Sequence, residues 1–321
     1  FIFYLFILWA AKNNKFTKKQ AWFLIISITT ILTFSYNAFS YDLFNYIFDA
    51  KIITNYHQNP YLHKALDYIT DPMLSFMHWT HRTYPYGPTW LGLTVPLSFV
   101  GMQFFLPTFF LFKALTSLSF LGTAFFISKI LRKISPNTEV FGLVFFVLNP
   151  LVVIESLVSS HNDIAMMFFA IFSVYLLMNR KYVRSSILFF LSIGVKFATI
   201  FMIPVFLLIY FFDKSKKTIN WEKLLALTAL LMIAPVVLAS IRTSYQPWYL
   251  LYVLPFVALV ARKYYFFIPS IILSLVSLFQ YLPFLYLGNW DKPVPSILFW
   301  VTIGSVILSI VFSFVWFAKL R

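Results

Sequence analysis

Asp42 and Asp49 stand seven residues apart in Tyr41-Asp42-Leu43-Phe44-Asn45-Tyr46-Ile47-Phe48-Asp49. Seven residues make two helical turns, so both carboxylates share one face with Asn45 and Tyr46 between them. The pattern reads as an amphipathic helix at the membrane surface with its acids turned toward a cavity. The same spacing also fits a solvated helix with Asp42 near its N-cap. A second group is Glu155 with His161-Asn162-Asp163, four ionisable or amide side chains in a short connector between apolar runs. Asn162 or Asp163 could cap the following helix, but capping leaves Glu155, next to Asn149-Pro150, without a role. Lys196, in a Gly194-Val195-Lys196 hinge, can snorkel to headgroups or hold an anionic group as a fixed point charge. Arg242, followed by Tyr245-Gln246-Pro247-Trp248-Tyr249, is a further cation beside residues that also suit an interfacial anchor. Trp290-Asp291-Lys292 is a fainter group of the same kind.

The elements that position these residues are membrane helices. Hydrophobic residues make up 61% of the 321, and mean hydropathy is +0.83, outside the range of soluble domains. Apolar runs of about 20 residues recur, each able to cross about 30 Å of hydrocarbon. The reading is an all-α polytopic bundle of about 9–11 membrane helices, some short or broken. Residues 40–88 form a large first outer loop containing amphipathic helices, inside a single domain spanning 1–321. Phe1 lies within an apolar run that reads as the tail of a membrane helix, so upstream residues are expected.

Basic clusters set the orientation. Lys12, Lys15, Lys18 and Lys19 are placed in the cytoplasm, and Trp22–Phe39 crosses outward to the polar stretch. Pro88–Val100 is short for a span and is read as half-inserted, doubling back into Pro107–Leu131. Phe141–Ile154 and Ile164–Met178 follow, then Ser185–Phe212 as a hairpin broken near Lys196. Leu224–Ser240, Tyr249–Ala261, Tyr265–Tyr286 and Ser296–Phe317 complete the set, the last ending at Lys319 and Arg321. With this orientation, every one of the ten acids except Glu139, Asp213 and Glu222 falls outside, as do all five histidines. One face carries the chemistry and the other the anchoring charge.

A net charge of +15 therefore reports topology rather than nucleic-acid binding. The absence of cysteine excludes a thiol nucleophile and Cys-ligated metal. No Walker loop, dinucleotide fingerprint or nucleophile elbow is present. His57, His63, His78 and His81 do not form paired helical ligand motifs. The oxygens of Asp42 and Asp49 could hold Mg²⁺ or Mn²⁺, but nothing in the spacing requires a metal or other cofactor.

The ordered set of Tyr41–Asp49, Asn59-Pro60-Tyr61, Tyr84-Pro85-Tyr86-Gly87-Pro88, Asn149-Pro150 with Glu155, His161-Asn162-Asp163, Lys196 before Pro204, and Gln246-Pro247-Trp248-Tyr249 resembles the GT-C superfamily of integral-membrane glycosyltransferases. Within it, the set is similar to the polyprenol-phosphate-mannose-dependent α-mannosyltransferases. The likeness runs from about Tyr36 to about Val260. It implies a glycosyltransferase that moves a sugar, mannose first, from a polyprenyl-phosphate donor to a glycolipid or polysaccharide acceptor. Transfer would occur with inversion on the non-cytoplasmic face of a bacterial cytoplasmic membrane, among membrane lipids. Asp42 would be the general base, and Lys196 and Arg242 would bind the donor phosphate. Asp49, Tyr46, Asn59, Tyr86, Glu155, His161, Asn162, Asp163, Gln246 and Trp248 would bind substrate. Ala50 departs from the pattern, standing where a glycine often follows the second aspartate. The alternative from a different class is a transporter or lipid flippase whose polar residues line a path, although such residues gather here on one face. A purely structural assembly subunit would leave the outer carboxylates without a role.

Overall fold

The computed structural model describes residues 1–102, 104–288 and 291–319, so Trp290 and Arg321 lie outside the described residues. Among the described residues the fold is all helical, the sole extended pairing being an isolated bridge between Lys64 and Thr83. Among the described residues, five helices are long and apolar enough to cross a membrane: Phe105–Ile134, Phe197–Lys214, Trp221–Thr243, Tyr264–Leu287 and Val294–Phe317. The bent pair Pro136–Val147 and Pro150–Val158 makes up to six, and five shorter apolar helices accompany them. The protein is a multi-pass membrane protein.

Several expected spans are interrupted for local reasons. The run expected over Phe141–Ile154 breaks at Asn149-Pro150, because proline lacks an N–H and disfavours helix before it. Tyr249–Ala261 is not one helix but a 3₁₀ turn, Pro247–Tyr252, followed by Leu254–Leu259, with a proline starting each piece. The expected Trp22–Phe39 span ends at Thr33 as the helix Lys18–Thr33. The helix Tyr182–Val195 stops where the hinge predicts: Lys196 is extended, and a 3₁₀ turn Phe197–Met202 follows.

The chain forms two compact units. One comprises Leu24–Thr123 and Ile154–Thr199. In it the helix Asp42–Thr54 packs on Pro88–Val100, which packs on Tyr182–Val195, which pairs with Asp163–Met178. Asp42 lies in the first turn of its helix, where the macrodipole favours an anion, and Lys51 lies in the last. An amphipathic helix was expected here, with one apolar and one polar face. Instead Leu43, Phe44, Ile47 and Phe48 are buried on one side, and Asp42, Asn45, Tyr46 and Asp49 are buried on the other. The polar side is enclosed because it meets the ionisable side chains described below.

Two glycines permit the closest crossing in this unit. The Gly87 N–H donates to Val195 O at 3.1 Å, and a Cβ on Gly87 would lie 2.2 Å from Gly194 O. A Cβ on Gly194 would lie 2.2 Å from Thr89 Oγ1. The crossing draws the Tyr86-Gly87 segment against the hinge that carries Lys196. Gly87→Ala is expected to destabilise the protein by about 1–3 kcal/mol, as overpacking does, and to displace Lys196. Gly92→Ala, which meets nothing within 4 Å, is the control for thermal unfolding in detergent. Equal melting of the two variants would refute the crossing.

The other unit comprises Phe1–Phe23, Ala124–Val153 and the chain from Ile200 onward. Residues assigned by sequence to the basic face meet in it: Glu139 accepts from Lys18, Ser128 and Arg132, and Lys263 pairs with Glu222 at 3.0 Å. Its helix Val294–Lys319 leaves Phe299, Trp300, Phe312 and Phe314 exposed, a surface suited to lipid.

Candidate active site

Within the first unit, the buried face of the Asp42 helix meets the connector before Asp163–Met178. The residues Ile154–Val158 form a π-helical turn that buries Glu155. The chain then turns through Ser160, whose φ of 54° is left-handed, and presents His161. The His161 side chain is fully buried, with Nδ1 3.5 Å from Asp42 Oδ2 and Nε2 3.3 Å from Glu155 Oε2. One imidazole thus bridges two carboxylates that are distant in sequence. Burial alone would favour neutral imidazole, but hydrogen bonding to Asp42 and Glu155 outweighs it and raises the His161 pKa to about 9. Burial likewise pushes Asp42 upward. His161, through its hydrogen bond and its charge, together with Arg82 and Lys196, overcomes that and holds Asp42 below its ordinary value.

Asp49 is a different kind of carboxylate. Burial raises it to about 7, with Arg82 opposing and Asp42 adding to the rise. Two aspartates on one helical face are therefore divided into a paired anion and a desolvated acid near its titration point at neutral pH.

Asn162 carries its own evidence. It occupies the N-cap position of Asp163–Met178 but makes no side-chain cap bond. Its amide is fully buried, and neither Nδ2 nor Oδ1 meets a hydrogen-bond partner among the described residues. Capping, the local explanation open from sequence, does not account for it. Asp163 Oδ1 instead accepts from Lys196 Nζ at 2.7 Å. Lys196 also lies 5.9 Å from the centre of the Tyr86 ring. The lysine points into the protein rather than only snorkelling outward.

Arg82, a basic residue of the outer loop that the sequence does not single out, belongs to this cluster. Its guanidinium lies 5.1 Å from the centre of the Trp79 ring and 6.0 Å from that of Tyr86, and Nη2 donates to Tyr86 Oη at 3.4 Å. The arginine's charge reaches both Asp42 and Asp49. The aromatic pair Trp79 and Tyr86, four residues to either side of the arginine or nearer, was the signal available. Tyr46 stacks edge-on against Tyr86 at 5.2 Å and Trp90 at 5.3 Å, placing its ring on the same wall.

Other expected site residues lie elsewhere. Asn59 is exposed, and its Oδ1 accepts from the Tyr61 N–H, closing an Asx turn. That turn seats Tyr61, whose hydroxyl donates to Tyr86 O at 3.2 Å, so Asn59 supports the wall from outside. Asp71 is tied to Lys51, Tyr56 and the Met73 N–H, a fold-holding role. Arg242, Gln246 and Trp248 belong to the other unit: Arg242 is exposed at the end of its helix, Gln246 Nε2 donates to Ser244 Oγ, and Trp248 meets the Tyr249 ring edge-on. Of the loop histidines, His78 and His81 meet the Trp79 ring at 4.7 and 6.1 Å, while His161 is the histidine that bridges the two carboxylates.

A divalent ion at Asp42 and Asp49 is poorly matched by these surroundings. Asp42 faces the His161 ring, a guanidinium stands by both carboxylates, and among the described residues no group of three His, Asp or Glu side chains is arranged to hold a metal ion. No step below passes through a metal.

A family model described as alpha-(1->6)-mannopyranosyltransferase, N-terminal domain (the MptA_B family), matches residues 2–212, more than half of the chain. The chain belongs to this family. It is a membrane glycosyltransferase that transfers mannose, which decides between the enzyme and transporter readings. The matched region contains every member of the Asp42–His161–Glu155 and Asp163–Lys196 sets. Comparison with curated proteins and with solved structures finds no match. For the mannosyltransferase, the bridged carboxylate supplies a fixed anion and the Arg82–Lys196 side supplies fixed cations.

Proposed function

We propose that the mannosyltransferase moves mannose from a polyprenyl-phosphate donor to a hydroxyl of a glycolipid or polysaccharide acceptor, forming an α-(1→6) linkage on the non-cytoplasmic face of a bacterial membrane. The observation that carries this reading is the buried Asp42 carboxylate held anionic by His161. Asp42 accepts the acceptor's hydroxyl proton as that oxygen attacks the mannosyl anomeric carbon. The bond from that carbon to the phosphate oxygen breaks, and its electron pair leaves with the polyprenyl phosphate. Attack from the face opposite the leaving group inverts the centre, so an α product requires a β-linked donor.

Lys196 and Arg82 flank the leaving phosphate as preorganised cations, each already oriented by Tyr86. The unpaired amide of Asn162 supplies both a donor and an acceptor to a hydroxyl-bearing ligand. Tyr46, Tyr86 and Asp49 line the sugar, and Glu155 orients His161.

The test is transfer from a panel of radiolabelled donors into membranes containing the protein. Expected is incorporation from polyprenyl-phosphate mannose and none from nucleotide-linked mannose when lipid-donor synthesis is blocked. Incorporation from the nucleotide sugar under that block would overturn the donor assignment.

A further inference from the structure

Lys113 sits in the first third of the 30-residue apolar helix Phe105–Ile134 and is fully buried. An ionisable group at that depth is costly unless it is fully engaged. Its ammonium has three N–H donors and meets three acceptors: Leu157 O, Val158 O at 3.2 Å and Ser35 Oγ at 3.5 Å. Leu157 and Val158 close the π-helical turn that carries Glu155, where carbonyls lack intrahelical donors. Two residues later comes Ser160, a non-glycine at φ 54°, and then His161. A buried left-handed serine is strained and persists only when its surroundings over-determine it. Ser35 begins the other connector, which leads to Asp42. One turn along the same helix, Ser117 Oγ meets Thr33 Oγ1 at 2.7 Å and anchors that connector's start.

We propose that Lys113 is a positioning residue that ties together the two connectors delivering Asp42 and His161, and so sets the register of the Asp42–His161–Glu155 bridge. It acts through backbone carbonyls and does not touch substrate. A side chain serving only to fill this space would be apolar; a clasp with three directed donors specifies where the π-helical turn ends. The inference rests on Asp42 being the base.

The test compares Lys113→Met, Lys113→Gln and Asp42→Asn with the wild type in detergent-purified enzyme, with activity expressed per folded molecule. A misplacement of about 1 Å costs about 10²-fold, so Lys113→Met is expected to lose about that factor in kcat, with donor KM little changed. Its acid limb should move to higher pH as Asp42 loses His161, a shift that simple loss of folded protein does not produce. Lys113→Gln, which keeps two donors, carries the test if the Met variant does not fold. Wild-type kcat and pH profile in a folded variant overturn the inference, and so does failure of both variants to fold, since Lys113 then holds the fold. Asp42→Asn separates the two claims. If it stays active the base assignment falls; if it is inactive while Lys113→Met is normal, only the clasp falls.

Discussion

Asp42→Asn is expected to lower mannosyl transfer by about 10³-fold, within the range that a positioned base contributes. The amide keeps the shape of the carboxylate and can still accept from His161, so the folded protein should survive. Asp49→Asn is the informative contrast, because Asp49 is already near half-protonated at neutral pH and its neutral amide resembles that state. It should retain far more activity. It should also remove a specific pH dependence: Asp49 is raised from 3.8 to about 7, so its ionisation makes folding less favourable as pH rises between those values. Asp42 must be ionised to act, and His161 must be protonated to hold it. The wild-type pH–rate profile is therefore expected to be a plateau, falling below the ordinary carboxylate range on the acid side and near pH 9 on the alkaline side. Measuring kcat/KM from below the ordinary carboxylate range up to about pH 10 for the three proteins checks this. An acid limb near pH 7 that vanishes in Asp49→Asn would transfer the base to Asp49.

His161→Leu is expected to be the most destabilising single change in the first unit. It leaves the Asp42 and Glu155 carboxylates buried without their shared cation, and removing one partner of a buried pair costs about 3–5 kcal/mol. Leucine fills similar space, so the loss reports charge rather than a cavity. The wild type should show the same interaction through pH. His161 is raised from 6.5 to about 9 in the folded state. The stabilisation is therefore fully present below about pH 6.5 and is lost as pH rises through about 9. Thermal unfolding in detergent across that window reads it directly. A melting temperature flat from pH 6.5 to 9, and equal in wild type and His161→Leu, would show that the bridge contributes nothing.

Much of the scaffold was legible from sequence because it rests on short-range rules. Apolar length placed the spans ending near Ile134, Thr243, Leu287 and Phe317, and the hinge at Lys196 is where the helix stops. Period alone put Asp42 and Asp49 on one helical side. The spans read from apolar length run straight through Pro150 and Pro255, and the two breaks there show only in the folded helices.

What those residues do was decided in three dimensions. The two aspartates look alike in sequence, and they differ because His161, well over a hundred positions away, stands beside one of them. Arg82 looked like loop charge until Trp79 and Tyr86 closed on it, and Asn162 looked like a cap until its amide proved to face no backbone N–H. Lys113 lies within an apolar span in sequence; its meaning lies in two carbonyls and a hydroxyl supplied by other segments. Sequence by itself determined the solvent, the helices and which residue types could do chemistry, since hydropathy and period act locally along the chain. Tertiary structure decided their charge states and partners, because desolvation and Coulomb interaction depend on distances through space between residues the chain keeps far apart.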